Sequence, residues 1–366
     1  MRRQRQMCIR HGVDATAAPE RMALCGLLVA FSSATQDVAI DAYRIEIAEE
    51  RLQAALAATY IFGYRLALLV AGAGALYLAE FWSWQVSYEV MAALVGVGAL
   101  TVLIVREPSV NHFAAAQDIA HKIEQEAAKL THLNPRLARL IGWFYAAVAG
   151  PFLDFFRRYK ELALIILLMV AVYRISDIAM GVMANPFYLD FMGFSKTQVA
   201  DVTKIFGFFM TIAGSLVGGV MVVRYGVRRI LLLGAIMTAA TNLLFVVLAQ
   251  YPPNIVTLAA VVSADNLSGG IANVALIAWL SSMTSASFTA TQYALFSSLM
   301  TLPGKFIGGF SGIVVAGFGY AEFFLVAGIM GVPAILLAIF MIRHGDRLDA
   351  LAPRHESKPD GEAVSS

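Results

Sequence analysis

Long apolar segments alternate with short polar ones along most of the chain. Because ~30 Å of hydrocarbon needs about 20 helical residues at about 1.5 Å each, apolar windows of that length predict transmembrane helices. We therefore predict an all-α fold, a polytopic membrane helical bundle. Nine windows qualify: 22–43, 52–79, 86–105, 161–184, 201–223, 229–250, 255–283, 289–317 and 321–343.

One long polar connection, 106–160, divides these windows into three and six. Since the other loops are short, this division indicates two helical bundles joined by a linker. The predicted regions are a basic leader at 1–21, a partial N-terminal bundle of three transmembrane helices at 22–105, a cytoplasmic linker with an interfacial helix at 106–160, a C-terminal six-helix bundle at 161–343 and a disordered cytoplasmic tail at 344–366.

The linker contains an apolar stretch from Leu140 to Phe156 that is interrupted by Gly150, Pro151 and Asp154. Basic side chains flank this stretch on both sides, an arrangement typical of a helix that lies in the plane of the membrane surface. The alternative is a tenth crossing, which would place the flanking basic residues on opposite sides of the membrane.

Basic residues concentrate on one side of the membrane if the windows alternate in direction. That side holds the linker together with Arg44, Arg224 and Arg343. Because an excess of Lys and Arg marks the cytoplasmic side, we place the C-terminus in the cytoplasm. Nine crossings then put the arginine-rich leader outside, against the same rule. The simplest account is that three upstream spans are missing, since three more would give two bundles of six.

The composition agrees with a membrane protein and excludes several other classes. Of 366 residues, 59% are hydrophobic and 14% are charged, and the mean hydropathy of +0.70 lies far outside the range of soluble domains. A net charge of +2 is too small to indicate nucleic acid binding. The six histidines have no ligand spacing, so we predict no metal and no cofactor. No nucleophile, base and orienting group occur at a spacing that indicates an enzyme.

The first window contains two carboxylates. Asp37 and Asp41 share a helix face with Ser33, Gln36 and Arg44, in a stripe roughly 140° wide at about 100° per residue. A charge near the middle of a spanning helix costs about 2.5 to 3.5 kcal/mol, so two carboxylates indicate the wall of a polar path. In the alternative they lie near the loop and reach the headgroups, which suits Asp41 better than Asp37.

Two further windows contain charged residues at membrane depth. Arg65 lies near the middle of the second window, and a hairpin of neighbouring helices would bring it within reach of Asp37. Arg174 and Asp177 are three residues apart on one helix and could neutralise each other. In the functional alternative, the Arg174 guanidinium binds an anionic group of a substrate.

The window 255–283 contains a polar face. Asp265, Gly269 and Asn273 follow one another at four-residue intervals, and Asn266 lies near the edge of their face. Polar residues with glycine in a spanning helix indicate a segment that lines a cavity. The alternative is that these side chains hydrogen-bond neighbouring helices and only hold the bundle together.

Lys305 is a candidate partner for Asp177 or Asp265, and the sequence does not decide between them. Glycines recur at small-residue spacing in the windows around it and earlier in the chain, a pattern that lets helices approach closely. These glycines are residues 214, 218, 304, 308 and 312.

The segment Ser33–Arg44 resembles the signature of AmpG-type muropeptide permeases, a branch of the major facilitator superfamily that also includes acetyl-coenzyme A transporters. Tyr173–Asp177, Asn185–Tyr188 and Ser287–Leu295 resemble further stretches of the same family, and the resemblance runs from about 20 to 343. It implies a membrane bundle of the major facilitator type. Relative to such permeases the chain lacks the first three spans, so the predicted fold is N-terminally truncated.

A loop motif of the same superfamily appears in Gly219–Arg229, where Val223 stands at a position that is usually acidic. The resemblance implies a gating loop, while the alternative is ordinary anchoring by positive residues on the cytoplasmic side. The matching residues are Gly219, Arg224, Gly226 and Arg228.

The resemblance implies a secondary transporter that imports muropeptides across the bacterial inner membrane with protons, for cell-wall recycling. Its partners would be the substrate, protons and membrane lipid, without nucleic acid. Alternatives are a facilitator for an acyl-coenzyme A or a sugar, or a truncated membrane protein that does not transport. The candidate path residues are Gln36, Asp37, Asp41, Arg65, Arg174, Asp177, Asp265, Asn266, Asn273, Gln292 and Lys305.

Overall fold

A computed structural model describes residues 19–47, 52–105, 125, 134–144, 149–284 and 289–351. The regular elements within these residues are helices, and no strand occurs among them. Most of the predicted leader, most of the linker between the bundles and the tail from 352 onward lie outside the described residues. Ser287 and Phe288 of the last family-like stretch also lie outside them.

Within the described residues, seven helical segments are long and apolar enough to cross a membrane. Seven of the predicted crossings coincide with these segments. The other two predicted crossings, 22–43 and 52–79, are also helical but are not among the seven. The seven segments are Gln85–Ile104, Leu162–Phe191, Gln198–Tyr225, Val227–Gln250, Ile255–Met283, Thr289–Phe318 and Tyr320–Arg343.

The N-terminal helices begin with α1 (Pro19–Glu46) and α2 (Gln53–Leu69). A π-helical turn at Val70–Gly74 leads from α2 into α3 (Ala75–Phe81), and α4 (Trp84–Ile104) returns along α3. The turn between α3 and α4 is fixed by two hydroxyl groups. The Ser83 Oγ accepts a hydrogen bond from the backbone N–H of Val86 and so caps α4, and the Ser87 Oγ donates to the Ala75 carbonyl at 2.8 Å.

The described part of the linker contains the helical segments α5 (Pro135–Phe144) and α6 (Gly150–Tyr159), and residues 145–148 between them lie outside the described residues. In α6, Phe155 and Tyr159 are buried, and the Phe155 ring meets the Phe296 ring edge-on at 5.3 Å. Apolar side chains of α5 remain exposed, as expected for a helix at the membrane surface. The linker therefore packs against the C-terminal bundle through α6.

The C-terminal bundle contains helices that are interrupted within the membrane segments. Its elements are α7 (Leu162–Val172), α8 (Ile175–Pro186) continued by a π-helix (Phe187–Phe191), α9 (Lys196–Ala200) continued by a π-helix (Asp201–Phe206), α10 (Gly207–Tyr225), α11 (Val227–Gln250), α12 (Ile255–Met283), α13 (Thr289–Gly308), α14 (Ser311–Phe318), α15 (Tyr320–Met330), α16 (Val332–Arg343) and α17 (Gly345–Leu351).

Small residues let α10, α11 and α12 pack closely. A Cβ added at Gly214 would lie 2.2 Å from the Leu267 carbonyl oxygen, and one at Gly234 would lie 2.7 Å from the Ala272 Cα. At Gly304, such an atom would lie 2.9 Å from the Ile178 side chain. Glycine spacing therefore predicts the close approaches at Gly214 and Gly304 correctly. Gly234 was not among the predicted glycines, and the predicted Gly312 has only an ordinary contact, 3.8 Å from the Met183 side chain.

The two sets of helices meet along the first half of α2. Ala54, Ala57, Ala58 and Ile61 are buried there against α10 and α12. A Cβ added at Gly219 of α10 would lie 3.1 Å from the Ala58 Cβ and 3.3 Å from the Ala54 carbonyl oxygen. Among the described residues, α3 and α4 have no comparable contact with the C-terminal bundle. The two sets of helices are therefore joined at the end where α2 begins, and we call the space between them beyond this joint the cleft.

The last helix extends beyond the membrane segments. In α17, Leu348 is buried and the Gly345 carbonyl accepts a hydrogen bond from Arg228 Nη1 at 2.9 Å. These residues belong to the tail 344–366 that the sequence predicts to be disordered. Residues 345–351 are helical instead, because the Arg228 hydrogen bond and the buried leucine tie them to the bundle.

Packing at Gly214 predicts a large effect of adding one methyl group. We expect Gly214→Ala to lower the melting temperature of the purified protein in detergent by about 3 °C or more, because overpacking costs about 1–3 kcal/mol. Gly181→Ala is the matched control, since no atom lies within 4 Å of a Cβ added there. Equal melting temperatures for the two variants would contradict the close helix contact.

Candidate functional site

An ion pair lies where the first membrane segment of the C-terminal bundle is interrupted. Arg174 occupies the break between α7 and α8, and its Nη2 lies 2.6 Å from the Asp177 Oδ2. The Arg174 Nη1 donates a hydrogen bond to the Asn273 Oδ1 of α12 at 3.4 Å. The Arg174 and Asp177 side chains remain 30% and 28% exposed, so a ligand can reach them.

Tyr173 fixes the position of this break. Its hydroxyl donates a hydrogen bond to the Leu231 carbonyl of α11 at 2.9 Å, and its side chain is buried. One turn further on, Ser176 donates to the Ala327 carbonyl at 2.6 Å and accepts a short hydrogen bond from the Asn242 amide. These hydrogen bonds attach the break to α11 and to α15, and they thereby fix the position of Arg174.

Arg174 and Asp177 line a recess in the C-terminal bundle. Its empty space is about 230 Å³, including the part that is open to solvent. The volume open to a water-sized molecule is only about 10 Å³, so the recess has room for one small group and not for a whole small-molecule ligand, whose pockets measure roughly 300–1,000 Å³. The lining residues are Tyr173, Arg174, Asp177, Thr238, Gly269, Ala272 and Asn273.

A second carboxylate lies one helical turn from the recess. Asp265 precedes Gly269 by four residues on α12, and its Oδ1 accepts a hydrogen bond from the Thr241 hydroxyl at 3.1 Å. Asp265 lies within electrostatic range of Asp177. The predicted cavity-lining face of α12 is thus the face that carries the recess, with Asp265 and Asn273 at its two ends.

Arg65 lies on the face of α2 that packs against the C-terminal bundle, since it follows the buried residues Ala58 and Ile61 on that face. Within the described residues no ion pair joins Arg65 to Asp37, which is the pairing that the sequence predicts.

The predicted polar stripe of α1 divides into two parts. Gln36 and Asp37 are exposed, so the structure does not bring them into contact with the recess. Asp41 is largely covered, and its Oδ1 lies 3.6 Å from the Arg44 Nη2. Only the end of the stripe therefore takes part in contacts with other helices.

Arg44 joins three helices at the closed end of the cleft. The Arg44 side chain is 5% exposed, and its guanidinium carbon lies 5.9 Å from the centroid of Tyr60 on α2 and 5.2 Å from that of Tyr293 on α13. Its Nη1 donates a hydrogen bond to the Gln53 Oε1 at 3.5 Å. The sequence placed Arg44 in the polar stripe of α1 and on the basic side of the membrane, and it also ends the family-like segment 33–44, but these patterns did not predict its contacts with α2 and α13.

Asn266 and Gln292 serve helix packing. The Asn266 Oδ1 accepts a hydrogen bond from the Thr211 hydroxyl at 2.9 Å and so joins α12 to α10. The Gln292 Nε2 donates to the Pro151 carbonyl and to the Asp154 Oδ2, each at 3.0 Å, and so fastens α6 to α13. Gln292 is buried at this end of the bundle, away from the Arg174 recess.

Lys305 is exposed on α13. Among the described residues it forms no ion pair with Asp177 or Asp265, the two partners that the sequence proposed. Asp177 is paired with Arg174 and Asp265 with Thr241 instead.

The predicted gating-loop residues have distinct structural roles. Gly219 provides the close contact with α2, and Gly226 adopts φ +86° in the turn from α10 to α11, where a side chain would be strained. Arg228 binds the Gly345 carbonyl, and the Arg224 guanidinium lies 5.6 Å from the Tyr225 ring. The loop therefore folds in the described structure with Val223 exposed at the acidic position.

Comparison with known proteins agrees with this architecture. The sequence profile of the Major Facilitator Superfamily matches residues 162–364. A protein named putative transporter AmpG 4 from Rickettsia felis is 30% identical over 317 residues, which cover 86% of this chain and 71% of the relative. The anhydromuropeptide permease of Escherichia coli K12 is 31% identical over 319 residues, covering 87% of this chain and 59% of the permease.

A solved structure of the proton:xylose symporter XylE, bound to 6-bromo-6-deoxy-D-glucose, is similar in fold. The TM-score is 0.58 at 17% identity, and the match covers 83% of this chain and 66% of the XylE chain. The chain therefore belongs to the major facilitator superfamily of membrane transporters and, within it, to the AmpG transporters. It is a multi-pass membrane protein, and its relatives are transporters, which confirms that it is not an enzyme.

The contacts of Arg44 predict that its substitution loosens the closed end of the cleft. We expect cysteines at Ala58 and Gly219 to form a disulfide under mild oxidation, because their Cβ positions, 3.1 Å apart in the structure, need to separate only slightly to reach the about 3.5–4.5 Å of a disulfide. Arg44→Gln should slow this reaction about fivefold, since each lost cation–π contact is worth about 0.5–2 kcal/mol.

Both native cysteines, Cys8 and Cys25, are replaced by serine in this experiment. Arg229→Gln serves as the control, because Arg229 is an exposed arginine on the same side of the bundle. The same disulfide rate in the Arg44 variant and in the control would show that Arg44 does not hold this end closed.

Proposed function

We propose that this chain is a proton-coupled secondary transporter that imports muropeptides, anhydro-muramyl sugars with a short peptide, across the bacterial inner membrane. The similarity to AmpG transporters and to an anhydromuropeptide permease supports the substrate class. The observation that carries the proposal is the exposed ion pair of Arg174 and Asp177, in a recess beside a cleft that is closed at one end. Such a cleft is what transport by alternating access requires.

The closed end corresponds to the cytoplasmic side in this proposal. Arg44, the linker helix α6 and Arg228 all lie at that end, where the basic residues concentrate. The C-terminus is then cytoplasmic, and the recess is reached from outside the cell. Transport requires the Ala58–Gly219 contact to open while the opposite ends of the helices approach each other.

A proton can be coupled to substrate binding through Asp177. While ionised, its carboxylate holds the Arg174 guanidinium at 2.6 Å. Protonation removes that charge and frees Arg174 to bind a carboxylate of the incoming substrate. The charged groups around Asp177 are Arg65, Arg174 and Asp265. Release of the substrate to the cytoplasm would restore the ion pair and return the proton.

Asp37 is a second candidate for the proton carrier. It lies on α1 at membrane depth, where a carboxylate is costly unless it is used, and it is exposed within the described structure. Asp41, in contrast, is engaged by Arg44 at the closed end. The test of coupling therefore includes both Asp37 and Asp177.

Uptake of a radiolabelled anhydro-muramyl tripeptide into proteoliposomes tests the proposal. We expect an external pH below the internal pH to drive accumulation, and a protonophore to abolish it. Asp177→Asn should bind substrate but lose its response to the pH gradient, because the neutral amide mimics the protonated state. The same loss in Asp37→Asn would place Asp37 on the proton path.

Asp201→Asn is the control, since Asp201 is an exposed carboxylate outside the recess. Labelled xylose and acetyl-coenzyme A are offered in parallel. Accumulation of either one without the muropeptide would replace the proposed substrate, and uptake that ignores the pH gradient would exclude proton coupling.

A further inference from the structure

We propose that Asp265 is protonated in this conformation, with its carboxyl hydrogen on Thr241, and that it is a residue from which a proton is released during transport. The role of this proton in import rests on the proposed function. The protonated state itself is argued from the hydrogen bonds around Asp265, which lies on the membrane-spanning helix α12.

The Thr241 hydroxyl has two acceptors within reach but only one hydrogen. Its Oγ1 lies 3.0 Å from the Thr238 carbonyl oxygen and 3.1 Å from the Asp265 Oδ1. A carbonyl oxygen and an ionised carboxylate both accept hydrogen bonds and cannot donate them. If Asp265 is ionised, the single hydrogen of Thr241 serves one of these contacts and leaves the other without a hydrogen.

Ser268 does not supply the missing hydrogen. The Ser268 Oγ donates to the backbone carbonyl of Asp265 at 2.9 Å, so its one hydrogen is used there. Ser268 and Thr241 are also buried, which keeps bulk water away from their hydroxyl groups. When Asp265 is protonated, its carboxyl hydrogen is donated to Thr241, and Thr241 in turn donates to the Thr238 carbonyl. Every contact then has a hydrogen.

The charges around Asp265 favour the same state. Within the described residues Asp265 has no ion pair, while Arg174 is held by Asp177. The other titratable side chains within electrostatic range of Asp265 are Asp177 of α8 and Tyr188 of the π-helix that follows it. A carboxylate at membrane depth is costly without a counter-ion, and two neighbouring carboxylates repel each other. An ionised Asp177 beside a protonated Asp265 avoids both penalties.

The position of Asp265 connects its proton to the occupancy of the recess. Asp265 lies one helical turn before Gly269, which lines the recess together with Arg174. While Asp265 is neutral, an anionic group of the substrate meets no opposing charge from this helix. Once the proton leaves, the Asp265 carboxylate repels that group. Proton and substrate are therefore released together, which is the order that proton-driven import requires.

Infrared spectroscopy of the purified protein tests the protonated state. The carbonyl stretch of a carboxylic acid is separate from the bands of a carboxylate, and a detergent without ester groups leaves this region clear. We expect the wild type to show an acid band at neutral pH that is missing from Asp265→Asn. Asp201→Asn, which removes an exposed carboxylate, should keep the band. A wild type without the band, or a band that survives Asp265→Asn, would overturn the proposal.

Thr241 provides a second test that keeps Asp265 in place. Thr241→Val has a similar shape but lacks the hydroxyl, so we expect the acid band to shift as its hydrogen-bond partner is lost. Thr241→Ser restores the hydroxyl and should return the band to its wild-type position. Circular dichroism checks that each variant is folded. An acid band that is identical in the valine variant and the wild type would contradict the assigned hydrogen bond.

Transport assays separate this proposal from the identity of the substrate. In proteoliposomes, Asp265→Asn should still exchange labelled for unlabelled substrate but lose accumulation driven by the pH gradient. Muropeptide accumulation with an unchanged response to pH in this variant would support import and overturn the role of Asp265. Accumulation of acetyl-coenzyme A instead of the muropeptide, with a pH response that needs Asp265, would support the role of Asp265 and overturn muropeptide import.

Discussion

The contact of Ala58 with Gly219 is the constraint on which the rest of the structure depends. Side chains no larger than a methyl group meet there, so α2 and α10 approach until a further Cβ would be only 3.1 Å away. The described contacts between the two sets lie at the beginning of α2 and where α1 packs against α13 near Arg44, so the two sets of helices are joined at this end. The cleft, the position of Arg65 beside it and the burial of Arg44 next to it all follow from this joint.

Charged residues are placed where this geometry gives them partners. Arg44 is enclosed by two tyrosines and Asp41 at the joint, while Arg174 is paired with Asp177 beside the open part of the cleft. The first arrangement is buried and the second is about 30% exposed, which separates a structural arginine from one that a ligand can reach. The low dielectric of the membrane makes both pairings necessary.

Hydropathy and local spacing predicted a large part of this structure. Seven crossings follow from apolar length, and the Arg174–Asp177 pair follows from three-residue spacing on one helix. The close contacts of Gly214 and Gly304 follow from small-residue spacing. These features depend on residues that are near each other in the chain, so the sequence contains the information directly.

The remaining contacts depend on how distant helices are rotated against each other. Arg65 was expected near Asp37, but it lies on the face of α2 that packs against the C-terminal bundle. Gln292 binds the linker helix 138 residues away from it, which no local pattern indicates. Arg44 was predicted to belong to the polar stripe of α1 and to the basic side of the membrane, yet neither pattern gives the side chains of α2 and α13 that enclose it. Its place in a family-like segment was the available signal.

Distances between spin labels at the two ends of the cleft test most directly the claim that the cleft opens alternately at these ends. One pair replaces the exposed residues Ala55 and Val223 at the closed end, and the other replaces Tyr77 and Phe209 toward the open end. The account predicts that anhydro-muramyl tripeptide at low pH shortens the second distance, and that the first lengthens as the joint opens. Two distances that stay constant, or that change in the same direction, would contradict a cleft that opens alternately at its two ends.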